Sequence, residues 1–419
     1  MKLNYGKTFL LGLGFFGVSV IWGIYNVFVP LFLANKFGLA PAWIGFFMTL
    51  DNIAALLIQP PVGAWSDKLR TPIGRRMPFI LIGAPIGAVV FGVIPLAAVL
   101  PLFVACTSTL LLSMAFWRTP VVALMPDITP SRFRSQANGI ISFMGGMGLI
   151  IAFLGGSALY KLNPAFPFWL GSGLVIFSTL LLLIFIKEPR VYADVKGQPG
   201  MLESIKMVLY DPDKSALCIF LAIFFWFISY NAIEAFFSLY AFNHLKLAEA
   251  DGVRLLGQPT LSLVIFSLPA GYIGAKIGRR LTISMGLLII MASTTTMYLL
   301  SPAELTTELT KLPVLEVVPV VGVILMVAGA GWALVNINSL PMVVDMTTDT
   351  RIGTYIGLYY LFSTLSAVVG PNLNGWIIQL SGLNYNAIMI VSPFLMLVAL
   401  VLMLGVRRGE AQPAIETVH

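Results

Sequence analysis

The sequence predicts an all-α membrane protein, with twelve transmembrane helices in two pseudo-symmetric six-helix bundles. Three observations carry that prediction. The first is composition: of 419 residues, 58% are hydrophobic and only 10% charged, with a mean hydropathy of +0.93. Soluble domains carry about a quarter of their residues as charges. The second is segmentation into runs long enough for the roughly 20 apolar residues that a span requires. The third is a pair of landmarks that recur a little over 200 residues apart.

Twelve spans can be cut in order: 8–34, 42–66, 77–98, 101–126, 134–160, 166–187, 215–243, 252–276, 280–300, 315–342, 352–379 and 383–406. Lys2 and Lys7 precede the first, and without a small-residue cleavage site that run reads as a retained span rather than a removed signal. Short loops separate all but the sixth and seventh. There the chain is charged, carries Pro189, Pro199 and Pro212, and holds an amphipathic stretch from Met201 to Tyr210. The expected organisation is an N-terminal bundle at 1–187, a linker at 188–214, a C-terminal bundle at 215–408 and a short tail at 409–419.

The loop after the second span is the most informative. Gly63-Ala-Trp-Ser-Asp67 is followed by Lys68, Arg70, Gly74, Arg75 and Arg76, and a weaker copy stands at Gly271–Arg280 with Lys276, Gly278 and Arg279. The second landmark, Asp127 with Arg134 after the fourth span, recurs as Asp345 with Arg351 after the tenth, at separations of 218 and 217 residues. An acid at a helix C-terminus needs a cation to offset the dipole. Asp67, Arg75, Arg76, Asp127, Arg134, Asp345 and Arg351 are therefore expected to form gate pairs at the cytoplasmic side, with static capping as the alternative. Loop cations set the orientation. With the N-terminus inside, nineteen Lys and Arg fall on cytoplasmic segments and five outside, leaving Arg118 within a span. Both termini are thus expected to be cytoplasmic, and the membrane to be the cell membrane. Parallel six-helix repeats of this kind fit an alternating-access carrier.

Asp51, Arg118 and Glu234 fall inside predicted spans, where a charge costs at least about 2.5–3.5 kcal/mol. Each needs a partner or a water-filled cavity, so Asp51, Glu234 and Arg118 are candidates for proton coupling, a structural ion pair being the alternative. Arg118 lies in Trp117-Arg118-Thr119-Pro120, expected to interrupt its helix. Polar and aromatic side chains recur at helical spacing around them: Tyr25 and Asn26 beside Trp22, Asn52 and Gln59, Trp226, Tyr230 and Asn231, Trp332 and Asn336, Tyr355 and Tyr359. Amides and acids suit hydroxyls, and aromatic faces suit the apolar side of a ring. Interhelical hydrogen bonds and ordinary packing would use the same residues. As a set they fit a neutral solute rich in hydroxyls.

Other classes are excluded or disfavoured. The net charge of +7 comes from loop residues that suit anionic lipid headgroups better than nucleic acid. Cys106 and Cys218 lie in apolar runs, and the only histidines are His244 and His419, so no metal site and no cofactor is expected. No nucleophile–base pair or phosphate loop marks an enzyme.

Gln59-Pro60-Pro61-Val62-Gly63-Ala64-Trp65-Ser66-Asp67, followed by Gly74-Arg75-Arg76-Met77-Pro78-Phe79-Ile80, resembles the sucrose/proton symporter branch of the major facilitator superfamily, a neighbour of the glycoside-pentoside-hexuronide cation symporters. Pro120-Val-Val-Ala-Leu-Met-Pro-Asp127, Tyr359-Tyr360-Leu-Phe362-Ser363 and Gly370-Pro371 resemble further patterns of that branch, while the likeness to the superfamily, carried by the twelve spans, the linker and the Gly63–Arg76 loop, extends over essentially the whole chain. It implies the major facilitator fold and proton-coupled uptake of a sucrose- or maltose-like glucoside. One departure bears on coupling. Plant sucrose carriers have a membrane-embedded aspartate about nine residues before the proline matching Pro120, and Leu111 stands at that position. The proton would then fall to Asp51 or Glu234, and sodium coupling stays open. The rival expectations are an exporter of drugs or metabolites with the same fold, and a non-transporting receptor or scaffold, which would be expected to carry a large soluble domain or a long tail.

Overall fold

The computed structural model describes residues 5–128, 134–188, 201–312, 316–347 and 352–410. Among them are twelve helices long and apolar enough to cross a membrane: Tyr5–Lys36, Pro41–Gln59, Met77–Leu96, Leu100–Met125, Ile140–Leu162, Phe166–Phe185, Ser215–Asn243, Glu249–Ile277, Arg279–Leu299, Val320–Val344, Thr354–Leu380 and Tyr385–Leu404. Each coincides with one of the twelve runs expected from the sequence. A spanning segment must bond its own backbone, because the hydrocarbon offers no partners. Arg351 and residues 189–200 of the linker lie outside the described residues, as do the side chains of Asp67 and Arg134.

Three local features depart from the expectation. Trp117–Pro120 does not interrupt the fourth span, which runs unbroken as Leu100–Ile128. Pro120 removes one amide donor, but the helix is braced by its neighbour: buried Trp117 packs against Gly83 of the third span, and Ser113 Oγ donates to the Gly83 carbonyl at 2.6 Å. The break falls instead in the second span, where Pro41–Phe47 and Leu50–Lys68 are separate helices joined at Met48 and Thr49. The tenth span begins at Val320 rather than 315, because Glu308–Leu312 and Glu316–Pro319 pair as a two-stranded sheet. Pro319 closes the second strand, and the helix starts on the next residue.

The chain forms two compact units. The first comprises Met1–Asp194, Glu234–Thr260 and Lys311–Glu316. Its centre is the first span, buried around most of its circumference through Val20, Ile21, Ile24, Val27 and Phe28. The fifth span reaches that helix at Gly148, where a Cβ would stand 2.7 Å from the Phe16 carbonyl oxygen. Small residues at such crossings let membrane helices gain dispersion contacts in place of a hydrophobic driving force. The second unit comprises Val195–Ile233, Leu261–Thr310 and Val317–His419. Its core joins Phe220, Ile223 and Trp226 to Ile283, Leu287, Trp332, Leu358 and Met396.

Candidate functional site

The helix break in the second span places Asp51 in the first turn of Leu50–Lys68. The Thr49 hydroxyl donates to the Phe46 carbonyl at 2.7 Å across the break. Asp51 therefore meets the positive end of a helix dipole, which favours a carboxylate, and Asn52 Nδ2 donates to its Oδ1 at 2.8 Å. Arg118 and Glu234 both lie near enough to act on Asp51 electrostatically, with opposite signs. The Arg118 guanidinium stands 6.0 Å from the Trp22 ring centroid, and Trp22 meets Tyr25 edge-on at 5.7 Å. Asn26 Nδ2 donates to Glu234 Oε1 at 3.0 Å, and Ser238 Oγ to the Val27 carbonyl at 3.1 Å. The first unit thus gathers Asp51, Arg118 and Glu234 with Tyr25, Asn26 and Asn52. Trp22 Nε1 and Tyr25 Oη are buried there without a hydrogen-bond partner. Gln59, half-buried, lies two turns farther along the Asp51 helix.

The second unit holds the aromatic and amide set. Tyr230 stacks on Trp332 at 4.3 Å and 10°, and Phe227 meets Trp332 and Tyr359 edge-on at 5.3 and 6.3 Å. The Tyr359 and Ser339 hydroxyls are 3.0 Å apart. Tyr355 packs against Phe220 at 5.8 Å, and Trp226 is fully buried with Nε1 unpartnered. Asn231 Nδ2 is committed to the Phe227 carbonyl at 2.6 Å, and the Asn336 carbonyl accepts from Ser339 Oγ at 3.1 Å.

At the loop after the second span, Arg75 Nη2 reaches Asp127 Oδ1 at 2.7 Å, and Arg76 Nε reaches Asp127 Oδ2 at 3.0 Å. Arg76 also donates to Ser66 Oγ. The sequence reading missed the fourth member, Glu188. Its carboxylate accepts the Arg76 backbone amide at 2.9 Å and the Met77 amide at 3.4 Å, at the start of the third span. Gly74 turns beneath it with φ +117. The second unit repeats the arrangement. Arg279 pairs with Asp345, and the missed Glu410 accepts the Arg279 and Arg280 amides at 2.6 and 3.0 Å beside Gly278, whose φ is +96. Each acid supplies charge where a helix N-terminus leaves unpaired N–H groups. Glu188 and Glu410 each follow the last helix of a six-span half, 222 residues apart, and that repeated spacing was the available signal.

Two further polar groups were also unforeseen. In the first unit, Glu249 accepts from Asn35 Nδ2 at 2.5 Å and from Tyr160 Oη, Lys161 pairs with Asp251 at 2.7 Å, and Arg254 pairs with Asp251 and Glu316. In the second, Arg408 pairs with Asp211 at 2.9 Å and Asp213 at 2.8 Å. The Arg408 hydrogen bond holds the Asp211 carboxyl below its ordinary range, and the Ser215 hydrogen bonds do the same for Asp213. Just past the seventh span, burial and the nearby Lys246 push His244 below the ordinary histidine value.

Twelve apolar helices, ionisable groups at membrane depth and a duplicated loop clamp define a polytopic membrane carrier. The chain matches the Major Facilitator Superfamily over residues 11–310 and 255–417, and it belongs to that superfamily of secondary transporters. It is 25% identical over 174 residues to the sucrose transport protein SUC3 of Arabidopsis thaliana, covering 36% of this chain and 29% of that protein. It is 25% identical over 251 residues to multidrug resistance protein 1 of Bacillus subtilis (strain 168), covering 57% of this chain and 58% of the relative. The matched regions thus span less than two thirds of either relative. The crystal structure of a point mutant of the nucleoside transporter NupG superposes with a TM-score of 0.74 at 15% identity, covering 96% of this chain and 100% of that one. That likeness is one of fold.

Proposed function

We propose that this protein takes up a sugar or glucoside of the sucrose or maltose type, coupled to protons, by alternating access across the cell membrane with both termini in the cytoplasm. The observation that carries the reading is the Asp51–Arg118–Glu234 group. Two acids and one cation share a half-buried region within apolar spans, with an amide on each acid. Intramembrane ionisable groups of this kind mark ion pathways. Asp51 or Glu234 takes the proton, and Arg118 answers the charge left when it departs. Protonation removes a charge from the buried group and lowers the cost of reorienting the loaded carrier. Tyr25, Asn26, Asn52 and Gln59, with the Trp226, Tyr230, Asn231, Trp332, Asn336, Tyr355 and Tyr359 set, supply hydrogen bonds and ring faces to the sugar. The arginine–aspartate clamps, with Asp67, Arg134 and Arg351, serve as gate pairs that break during the cycle. The sucrose transport relative and the resemblance of the Gln59–Ile80 segment support the substrate class.

Uptake of sucrose and maltose into proteoliposomes, with and without an inward proton gradient, tests this. Accumulation that needs the gradient and is lost in Asp51→Asn or Glu234→Gln, with exchange retained, is the expected result. Exchange without accumulation in the wild type removes the proton from the reading. No flux of either sugar in folded protein removes the sugar.

A second reading, export of drugs or metabolites, is favoured by the multidrug resistance relative and by the Tyr230–Trp332–Phe227 ring cluster, which also suits a flat apolar solute. Competition by hydrophobic cations, absent for sugars, would support it.

A further inference from the structure

The eighth span carries a side chain that neither the charged group nor the clamps use. Gln258 is fully buried, 0% exposed, yet neither its Oε1 nor its Nε2 has a hydrogen-bond partner. Buried polar atoms are almost always paired, and a carboxamide unpaired on both its donor and its acceptor is the exception that asks for a ligand. The polar groups near it on the same helix are already engaged. The Thr260 hydroxyl donates to the Leu256 carbonyl at 2.9 Å. Arg254, one turn earlier on the same face, is held by Asp251, Glu316 and Ser157 Oγ.

The surroundings add two local irregularities of the backbone beside it, one on each of two closely packed helices. Pro259 has no amide hydrogen, so the Leu255 carbonyl loses its donor within the helix at the level of Gln258. In a spanning helix such a freed carbonyl is accommodated where it meets a neighbour or lines a cavity. The fifth span faces this stretch through Leu154, which a Cβ on Gly257 would strike. Leu154 sits in the π-helical turn Ile151–Gly155. Wide turns of that kind inside α-helices occur mostly at functional sites.

We propose that Gln258 is a direct contact for the transported solute, its Oε1 accepting from one hydroxyl and its Nε2 donating to a neighbouring one, on the side of the eighth span that meets the fifth. This rests on the transport reading above and deepens it, by naming a residue that selects for paired hydroxyls. A site built to bond a hydroxyl discriminates strongly against an analogue that lacks it.

The test compares wild type with Gln258→Leu in two measurements: sucrose and maltose uptake by proteoliposomes, and thermal unfolding in solute-free detergent. The expected result is a KM raised about tenfold or more with maximal rate within about twofold, and a melting temperature held or raised, because leucine removes an unpaired buried amide. A lowered melting temperature with KM unchanged shows the amide paired inside the protein and overturns the assignment. Both quantities unchanged shows it satisfied by water and overturns it equally. If the wild type moves neither sugar, the sugar reading falls by itself. The detergent comparison then decides Gln258, with a lowered or unchanged melting temperature overturning the assignment and a raised one supporting it.

Discussion

Replacing Asp127 with asparagine separates a working gate from a static cap. Asp127 takes Arg75 at 2.7 Å and Arg76 at 3.0 Å, with the three side chains 13%, 10% and 5% exposed. Pairs this buried escape most of the screening that makes surface ion pairs weak. Arg75, Arg76, Asp127 and Glu188 together are neutral, and the substitution leaves one net positive charge in the same space. Breaking a buried pair by removing one partner costs about 3–5 kcal/mol. Asparagine keeps an acceptor for one guanidinium, and Glu188 Oε1 remains 3.9 Å from Arg75 Nε. The expected cost is therefore nearer about 2–3 kcal/mol, roughly 30- to 150-fold in the population of this arrangement. A double-mutant cycle of Asp127→Asn and Arg75→Gln, read by thermal unfolding in detergent, measures it. The double variant restores neutrality, so it should recover part of the loss, with a coupling of at least about 1 kcal/mol. Uptake rates on the same variants should shift for a gate. Additive singles, with coupling below about 0.5 kcal/mol, would refute the clamp as a unit. A lowered melting temperature with uptake unchanged would leave only a cap.

Three further outcomes are expected. Gly74→Ala should reduce folded yield and melting temperature more than Gly278→Ala: both glycines have positive φ, but the new Cβ collides with the Glu188 carboxylate in the first case and stands 3.1 Å from Glu410 Oε2 in the second. His244, held neutral by burial and by Lys246, has a depressed folded-state pKa. Its contribution to stability is complete above about 6.5, the ordinary histidine value, and is lost as pH falls through the folded value, so its ring signals should titrate below about 6.5 by NMR. Trp332→Leu removes the 4.3 Å stack on Tyr230 and the Phe227 edge contact. It should lower stability by about 2–4 kcal/mol in unfolding experiments.

The spans were legible because bilayer thickness and backbone hydrogen bonding leave the chain one solution, which apolar run length reports directly. The short strands at Glu308–Pro319 were not, since their nine mostly exposed residues carry no hydrophobic period long enough to oppose a helix start at 315. Asp51, Arg118 and Glu234 stood out as charges in grease. That Asn26 reaches Glu234, and Asn52 its neighbour Asp51, depended on helix rotation, which spacing alone does not supply. Pro120 misled for a related reason: in isolation it breaks a helix, but Trp117 against Gly83 fixes the helix from outside. Glu188 was hidden because it lies beyond its span, next to Lys187 and Pro189, where an acid reads as a solvated loop residue.

The two clamps share one grammar and differ in depth. Each uses a positive-φ glycine, an arginine pair, an aspartate ending the fourth helix of its half and a glutamate after the sixth, on backbone amides that a helix start leaves open. Such a repeat needs no shared ligand to explain it, because each half must solve the same problem of a cationic hairpin against a helix dipole. The depth is what function could act on. Arg75 and Asp127 are 10% and 13% exposed, whereas Arg279 and Asp345 are 17% and 40%. Water and salt therefore compete for the second pair far more than for the first. A carrier that must release such contacts in every cycle gains from unequal locks. In the proposed cycle the exposed pair yields readily, and the buried one, with Glu188 behind it, sets the cost of reorientation.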